Sequence, residues 1–247
     1  MKSPARTTCR RRDVEIHDYG FMRPISRPRV KICCICSLAE AELAVAAGAS
    51  ALGLVSKMPS GPGVISEEEI SQIASQLPPA VATFLLTSLQ GVEAIIAQQR
   101  RCCCSTIQIC DSLTRGSHRD LKSALPGISI VQVIHVVGPE SVDEALAIAP
   151  HVDALLLDSG KPAAAVKELG GTGRRHDWSL SRRIRERIDI PLFLAGGLNP
   201  DNAAEAIREV APFGLDICSG VRTDGKLDKQ KLTGLFDAIA AAALPLT

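Results

Sequence analysis

Gly170-Gly171-Thr172-Gly173, Ala195-Gly196-Gly197-Leu198-Asn199 and Ser219-Gly220-Val221 are three small-residue turns, each following a short apolar run directly or at a small remove. The runs, Ala154–Asp158, Leu192–Ala195 and Gly214–Ile217, have the length of buried strands. Glycine lets backbone N–H groups approach an anion closely and adopt the positive φ angles that concave amide nests need. Three such turns at the carboxyl ends of successive strands predict one phosphate held by Gly171, Thr172, Gly173, Gly196, Gly197, Ser219 and Gly220. A (β/α)8 barrel carries its phosphate site at that end.

Outward from these turns the chain alternates. Strand-like runs fall at Val30–Ile35, Ala51–Val55, Val81–Leu86, Thr106–Ile109 and Ile128–Val136, ahead of the three already named. They are continuously apolar, as strands buried on both faces must be. Helical patterns fill the gaps at Leu38–Ala47, Glu67–Gln76, Val92–Arg101, His118–Leu125, Ser141–Ala149, Ser179–Arg187, Asp201–Val210 and Lys229–Ala243. Ser66 ahead of Glu67-Glu68-Glu69 reads as a capping box, and Gly48 as a helix stop. Eight strands and eight helices in strict alternation give a parallel sheet. With no spare element, closure into a single-domain TIM barrel over residues 30–247 is expected, and 247 residues is the usual length.

Charge sets the first residues apart. Residues 1–29 hold eight Lys/Arg against three Asp/Glu, which leaves 20 against 24 and a net −4 for the remainder. The start therefore reads as a basic, disordered extension, with Met22 as an alternative beginning. One Trp, one Tyr and five Phe are too few for the stacking platform of a single-strand nucleic-acid binder. No apolar run reaches the length of a membrane span, and no apolar segment directly follows the basic start as in a secretory signal. Nine cysteines, an odd number, suit a reducing cytoplasm better than a disulfide framework. Nucleic acid and membrane are thus excluded as partners, while monomer and homodimer both fit.

Two polar strand ends stand out. The first strand leads into Lys31-Ile32-Cys33-Cys34-Ile35-Cys36, and the sixth ends Leu155-Leu156-Leu157-Asp158-Ser159. In a barrel both ends face one pocket. A thiol across from a carboxyl group, beside a phosphate cradle, makes an acid–base pair suited to isomerising a phosphosugar. The competing reading of Cys33 is a small buried hydrophobe, the usual fate of a free cysteine. A lone buried aspartate is costly, which singles out Asp158.

These residues carry a resemblance. From Val30 to about Ala240 the chain resembles the phosphoribosylanthranilate isomerases of tryptophan biosynthesis. It does so through Lys31-Ile32-Cys33, Leu155–Ser159, Gly170–Gly173 with Asp177-Trp178, Leu194–Pro200 and Asp216–Val221, in the family's order and approximate spacing. The resemblance implies an Amadori rearrangement of a phosphosugar amine, with Cys33 as general base and Asp158 as general acid, needing neither metal nor organic cofactor. A free thiol is mostly protonated at neutral pH, so the base needs a nearby positive charge; Lys31 and the substrate's own iminium are the candidates.

Departures fall on the other half of the substrate. Cys34 and Cys36 replace a Gly and a Thr of the family pattern. After the second strand the family presents an arginine to the anthranilate carboxylate, whereas Met58-Pro59-Ser60-Gly61-Pro62-Gly63 has none; Gly63 lines up best with it. Asp111 adds a negative charge nearby, and Lys57, Arg174 and Arg175 are the candidate replacement cations. Cys33 and Cys36 have CxxC spacing and Cys102-Cys103-Cys104 form a second group. Cys33 and Cys34 fall on a strand, however, where alternate side chains point to opposite faces, which argues against a zinc site. Two function classes remain: the isomerase, and a paralogue that binds or isomerises a different phosphorylated metabolite or is non-catalytic.

Overall fold

The computed structural model describes residues 27–161, 163–171 and 173–242. Most of the basic extension, residues 1–26, lies outside the described residues, as does Thr172. Eight parallel strands close into a barrel in chain order: β1 (Arg29–Ile32), β2 (Ala51–Val55), β3 (Ala82–Thr87), β4 (Thr106–Ile109), β5 (Ser129–His135), β6 (Ala154–Asp158), β7 (Leu192–Leu194) and β8 (Gly214–Ile217). Around them run α1 (Leu38–Ala47), α2 (Glu67–Gln76), α3 (Val92–Cys102), α4 (His118–Ala124), α5 (Glu140–Ile148), α6 (Trp178–Arg185), α7 (Ala203–Val210) and α8 (Lys229–Ala241).

The pleat explains why the strands read as unbroken apolar runs. On β6, Leu155 and Leu157 point outward into the layer shared with the helices, while Ala154 and Leu156 point into the barrel. Both layers are dry, so neither position tolerates a polar residue without a partner. Polar inner positions do occur on β1, β4, β6 and β8, where Lys31, Gln108, Asp158 and Asp216 are all buried. Ser37, Ser66, Ser117, Asp177 and Asp228 each cap a helix by accepting a first-turn N–H, and Ser66 and Ser117 complete capping boxes with Glu69 and Asp120. Gly48 stops α1 at φ 113°, donating to Ala44 O and Val45 O.

Most boundaries fall within a residue or two of those expected, and the differences have local causes. β1 ends at Ile32 instead of Ile35 because Cys34 takes φ 62°, outside the β region. This corrects the expectation that Cys33 and Cys34 face opposite ways: both sit in the inner cluster. α7 begins at Ala203 instead of Asp201, since Asn199 Oδ1 accepts from the N–H groups of Asp201 and Asn202 and holds them in a turn.

Candidate active site

At the carboxyl rim of the barrel one cavity is lined by Cys33, Gln108, Cys110, Asp158, Asp216 and Cys218 below, by Met58, Leu86 and Leu169 at the side, and by glycine turns above. Gly171, Gly173, Gly196, Gly197 and Ser219 all belong to that lining. A Cβ placed on Gly173 would lie 3.5 Å from Ser219 Oγ, and one on Gly197 would lie 3.0 Å from Gly173 O. The three turns therefore meet. Gly220 stands behind the lining, where a Cβ would overlap Leu198 O. Thr172 lies outside the described residues. Gly170 joins the roof, since a Cβ there would come within 2.7 Å of Asp158 Oδ2.

Asp158 ends β6 at 8% exposure and accepts from the Ser159 N–H at 2.7 Å. Burial raises its carboxyl above the ordinary value; the Ser159 N–H opposes this and the Asp216 carboxylate adds to it. The group is thereby biased towards its protonated form. Across the cavity lies Cys33, 5% exposed. A Cβ on Gly53 of β2 would fall 2.8 Å from Cys33 Sγ and 2.9 Å from Lys31 Nζ, so the sulfur and the ammonium group converge on the space that Gly53 leaves open.

Lys31 is wholly buried inside the barrel, donates to Asp216 Oδ1 at 2.8 Å and stands 5.3 Å from the Phe84 ring centroid. Burial alone would discharge it, but Asp216 and then Cys33 hold the ammonium above its usual value. Sequence reasoning proposed Lys31 as a neighbouring cation but missed Asp216 as its partner and Gly53 as the gap between Lys31 and Cys33. The signal was there: a charged residue at an inner position of each of two strands that pair across the barrel seam.

The other expected cations are placed differently. Arg175 stacks 3.4 Å over the Trp178 ring and pairs with Glu205 and Glu209 on the outer layer. Arg174 pairs with Glu168. Gly63 has φ 79°, and a Cβ there would come within 2.9 Å of Cys34 Cα and closer still to its Cβ. No side chain fits at Gly63, the position that lines up best with the family's arginine. Asp111 is buried just past β4, and Lys167, in the loop after β6, donates to Asp111 Oδ2 at 2.5 Å. Ser60 Oγ donates to Lys167 O at 2.7 Å, tying the loop after β2 to the loop after β6 over the cavity.

Among the described residues, no group of three or more His, Cys, Asp or Glu is placed to hold a metal ion, and no helix is long and apolar enough to cross a membrane. A closed (β/α)8 barrel with a buried carboxyl, a thiol and glycine turns lining one cavity at its carboxyl rim has the architecture of a TIM-barrel enzyme. Comparison with known proteins narrows the class. The profile described as N-(5'-phosphoribosyl)anthranilate (PRA) isomerase matches residues 30–238, and the chain belongs to that family. It is an intramolecular oxidoreductase of the aldose–ketose isomerase type, acting in tryptophan biosynthesis.

N-(5'-phosphoribosyl)anthranilate isomerase 2 of Methanosarcina mazei is 34% identical over 206 residues, 83% of this chain and 90% of that protein. The phosphoribosyl anthranilate isomerase of Thermotoga maritima superposes with a TM-score of 0.73 at 29% identity, covering 87% of this chain and 99% of that one. A phosphoribosyl anthranilate isomerase in complex with reduced 1-(o-carboxyphenylamino)-1-deoxyribulose 5-phosphate superposes with a TM-score of 0.71 at 27% identity, covering 87% and 99%.

Proposed function

We propose that Asp158 is the general acid and Cys33 the general base of an Amadori rearrangement of N-(5'-phosphoribosyl)anthranilate, with the phosphate on the three glycine turns. One observation carries the assignment: the buried Asp158 carboxyl, biased towards its protonated form, and the Cys33 sulfur face one cavity beside the turns. Asp158 donates its proton to the ribose ring oxygen, the C1–O bond breaks, and an iminium forms on the anthranilate nitrogen. Cys33, as thiolate, takes the proton from C2, giving an enolamine that tautomerises to the ketose. The Lys31 ammonium offers the negative sulfur a counter-charge, and Asp216 keeps that ammonium in place. Every proton removed is returned, so the sequence of steps is a net isomerisation.

Asp158→Asn and Cys33→Ala test these roles, because Asn keeps the size and shape of the group beneath Gly170 and Ala removes only the Cys33 sulfur. Each lowers kcat by about 10²–10⁴-fold, the usual contribution of a general acid or base, while a phosphate ester still binds. Equal loss of binding and turnover would show both residues to be structural.

The blocked arginine position at Gly63 favours the second reading, a paralogue acting on another phosphorylated metabolite. Lys167 answers it. Its side chain is partly exposed where it pairs with Asp111, and the cavity wall includes Met58 and Leu169, whose side chains offer an apolar surface to an aromatic ring. We assign the anthranilate carboxylate to Lys167, in exchange for Asp111. Absence of isomerase activity with purified N-(5'-phosphoribosyl)anthranilate would decide for the paralogue. The isomerase reading also carries a cytoplasmic location, in keeping with the eight described cysteines, all free thiols.

A further inference from the structure

Three cysteines converge at the seam of the barrel. Strand geometry alone would turn Cys34 away from Cys33, but φ 62° at Cys34 folds its side chain back into the inner cluster. There its sulfur lies 3.9 Å from Cys33 Sγ and 2.9 Å from Cys218 Sγ, at the end of β8. The arrangement is held from three sides. Cys33 N donates to Ile217 O at 2.8 Å, continuing the β1–β8 pairing past the last strand residue. Gly63 packs its backbone on Cys34. Arg222 donates to Cys34 O at 2.5 Å while pairing with Glu40. A left-handed conformation is costly for a residue with a Cβ, and a strained residue fixed by its surroundings points to a function for that residue. The acid–base chemistry uses neither Cys34 nor Cys218.

We propose that Cys34 and Cys218 form a redox-active dithiol that a low-molecular-weight disulfide, such as oxidised glutathione, converts to an intramolecular disulfide. The sulfurs need to close by less than about 1 Å to reach the disulfide bond length of about 2.05 Å. Both line the cavity, and Cys218, the more exposed of the two, is the entry point. Its contact with Cys34, followed by Arg222 and Lys31, holds the Cys218 thiol below the ordinary value against burial, whereas Cys34 is pushed up by its contacts with Cys218 and Cys33. The Cys218 thiolate attacks one sulfur of the small disulfide; that S–S bond breaks and one thiol leaves, protonated by solvent. Cys34 then loses its proton and attacks the Cys218 sulfur, expelling the second thiol. Two protein thiols and one small disulfide become one protein disulfide and two small thiols. The new bond joins the neighbour of Cys33 to the neighbour of Ser219, so the closing displacement falls on the catalytic strand or the phosphate turn.

The test is made on the full chain under native conditions. The protein is incubated with oxidised glutathione, its remaining thiols are blocked, and an unreduced digest is mapped by mass spectrometry. The expected product is a Cys34–Cys218 cross-linked peptide, lost on adding dithiothreitol. Turnover is expected to fall by about 10–100-fold in step with the cross-link, the scale of loss for a misplacement near 1 Å, and to return with the reductant. Cys34→Gly suits the positive φ and should leave Cys218 carrying a trapped glutathione with no cross-link. Cys218→Ser should take up no glutathione at Cys34. No cross-link in the wild-type chain, or one joining Cys34 or Cys218 to another cysteine, overturns the dithiol. A mapped Cys34–Cys218 bond with unchanged turnover overturns its control of activity. The mapping needs no turnover, so a failure of the isomerase assignment reads separately.

Discussion

Lys167 and Asp111 show how one residue's role depends on what its partner does when substrate arrives. As the structure stands, the lysine neutralises a buried carboxylate at 2.5 Å. An incoming aromatic carboxylate competes for the same ammonium, and a charge-assisted contact contributes about 1.5–3 kcal/mol. Lys167→Met should therefore raise KM for N-(5'-phosphoribosyl)anthranilate by about one to two decades with a much smaller change in kcat. Steady-state kinetics check this; an unchanged KM would return the carboxylate to another group. Lys31 and Asp216 form the contrasting case. They are 185 positions apart and meet inside the barrel at 2.8 Å, so no local pattern announces the pair. Lys31 and Asp216 were each visible as a charge in an apolar strand; that the two meet depends on closure of the ring.

At the scale of elements, the loop between β6 and α6 carries most of what sequence could and could not convey. The glycines of the GGTG stretch are a short-range signal, and Gly170, Gly171 and Gly173 line the cavity; the Asp177 cap, equally local, was not anticipated. His176, between them, went unread. It shares a 2.7 Å hydrogen bond with Ser181 Oγ and lies under the turn after β7, where a Cβ on Gly196 would come 3.1 Å from its Nδ1. Burial lowers its pKa to about 4, Asp177 opposing and Arg175 assisting. Above pH 6.5 the ring is neutral whether the chain is folded or not. As pH falls from 6.5 towards 4 the unfolded chain takes a proton that the folded chain refuses, and stability declines, by up to about 3 kcal/mol for this one group. His176→Gln should flatten that decline. Denaturant titrations at pH 7 and 4.5 on both proteins give the comparison, and parallel curves would remove His176 as the cause. The strands themselves were legible because burial on both faces leaves one composition to choose from; the cysteines just after β1 were not, because a single positive φ at Cys34 reverses a side chain.

For the whole molecule, eight repeats of strand and helix sufficed to predict closure, and the ring is complete from Arg29 to Ile217. The first strand of that ring begins at Arg29. We expect deletion of residues 1–26 to shift Tm by less than about 2 °C, under about 1 kcal/mol for a domain of this size. A larger drop on differential scanning calorimetry would assign that stretch a place against the barrel. What the pattern of repeats leaves undetermined is which strands share a register at the seam, because that depends on contacts spanning nearly the whole chain.

The seam sets an order of events in the chain's own making. β1 pairs with β8 over four residues, from Arg29 opposite Gly214 to Ile32 opposite Ile217, and with β2 over only two. The strand that presents Cys33 thus takes most of its alignment from the last strand to be synthesised. A nascent chain emerges from its first residue onward, so Cys33, Lys31 and the Ser219 turn stay apart while the first seven strands leave the ribosome. Asp216 arrives within the eighth, and only then does Lys31 gain its partner. Until that moment Lys31 lacks the carboxylate it pairs with in the barrel, and burying an unpaired ammonium is costly.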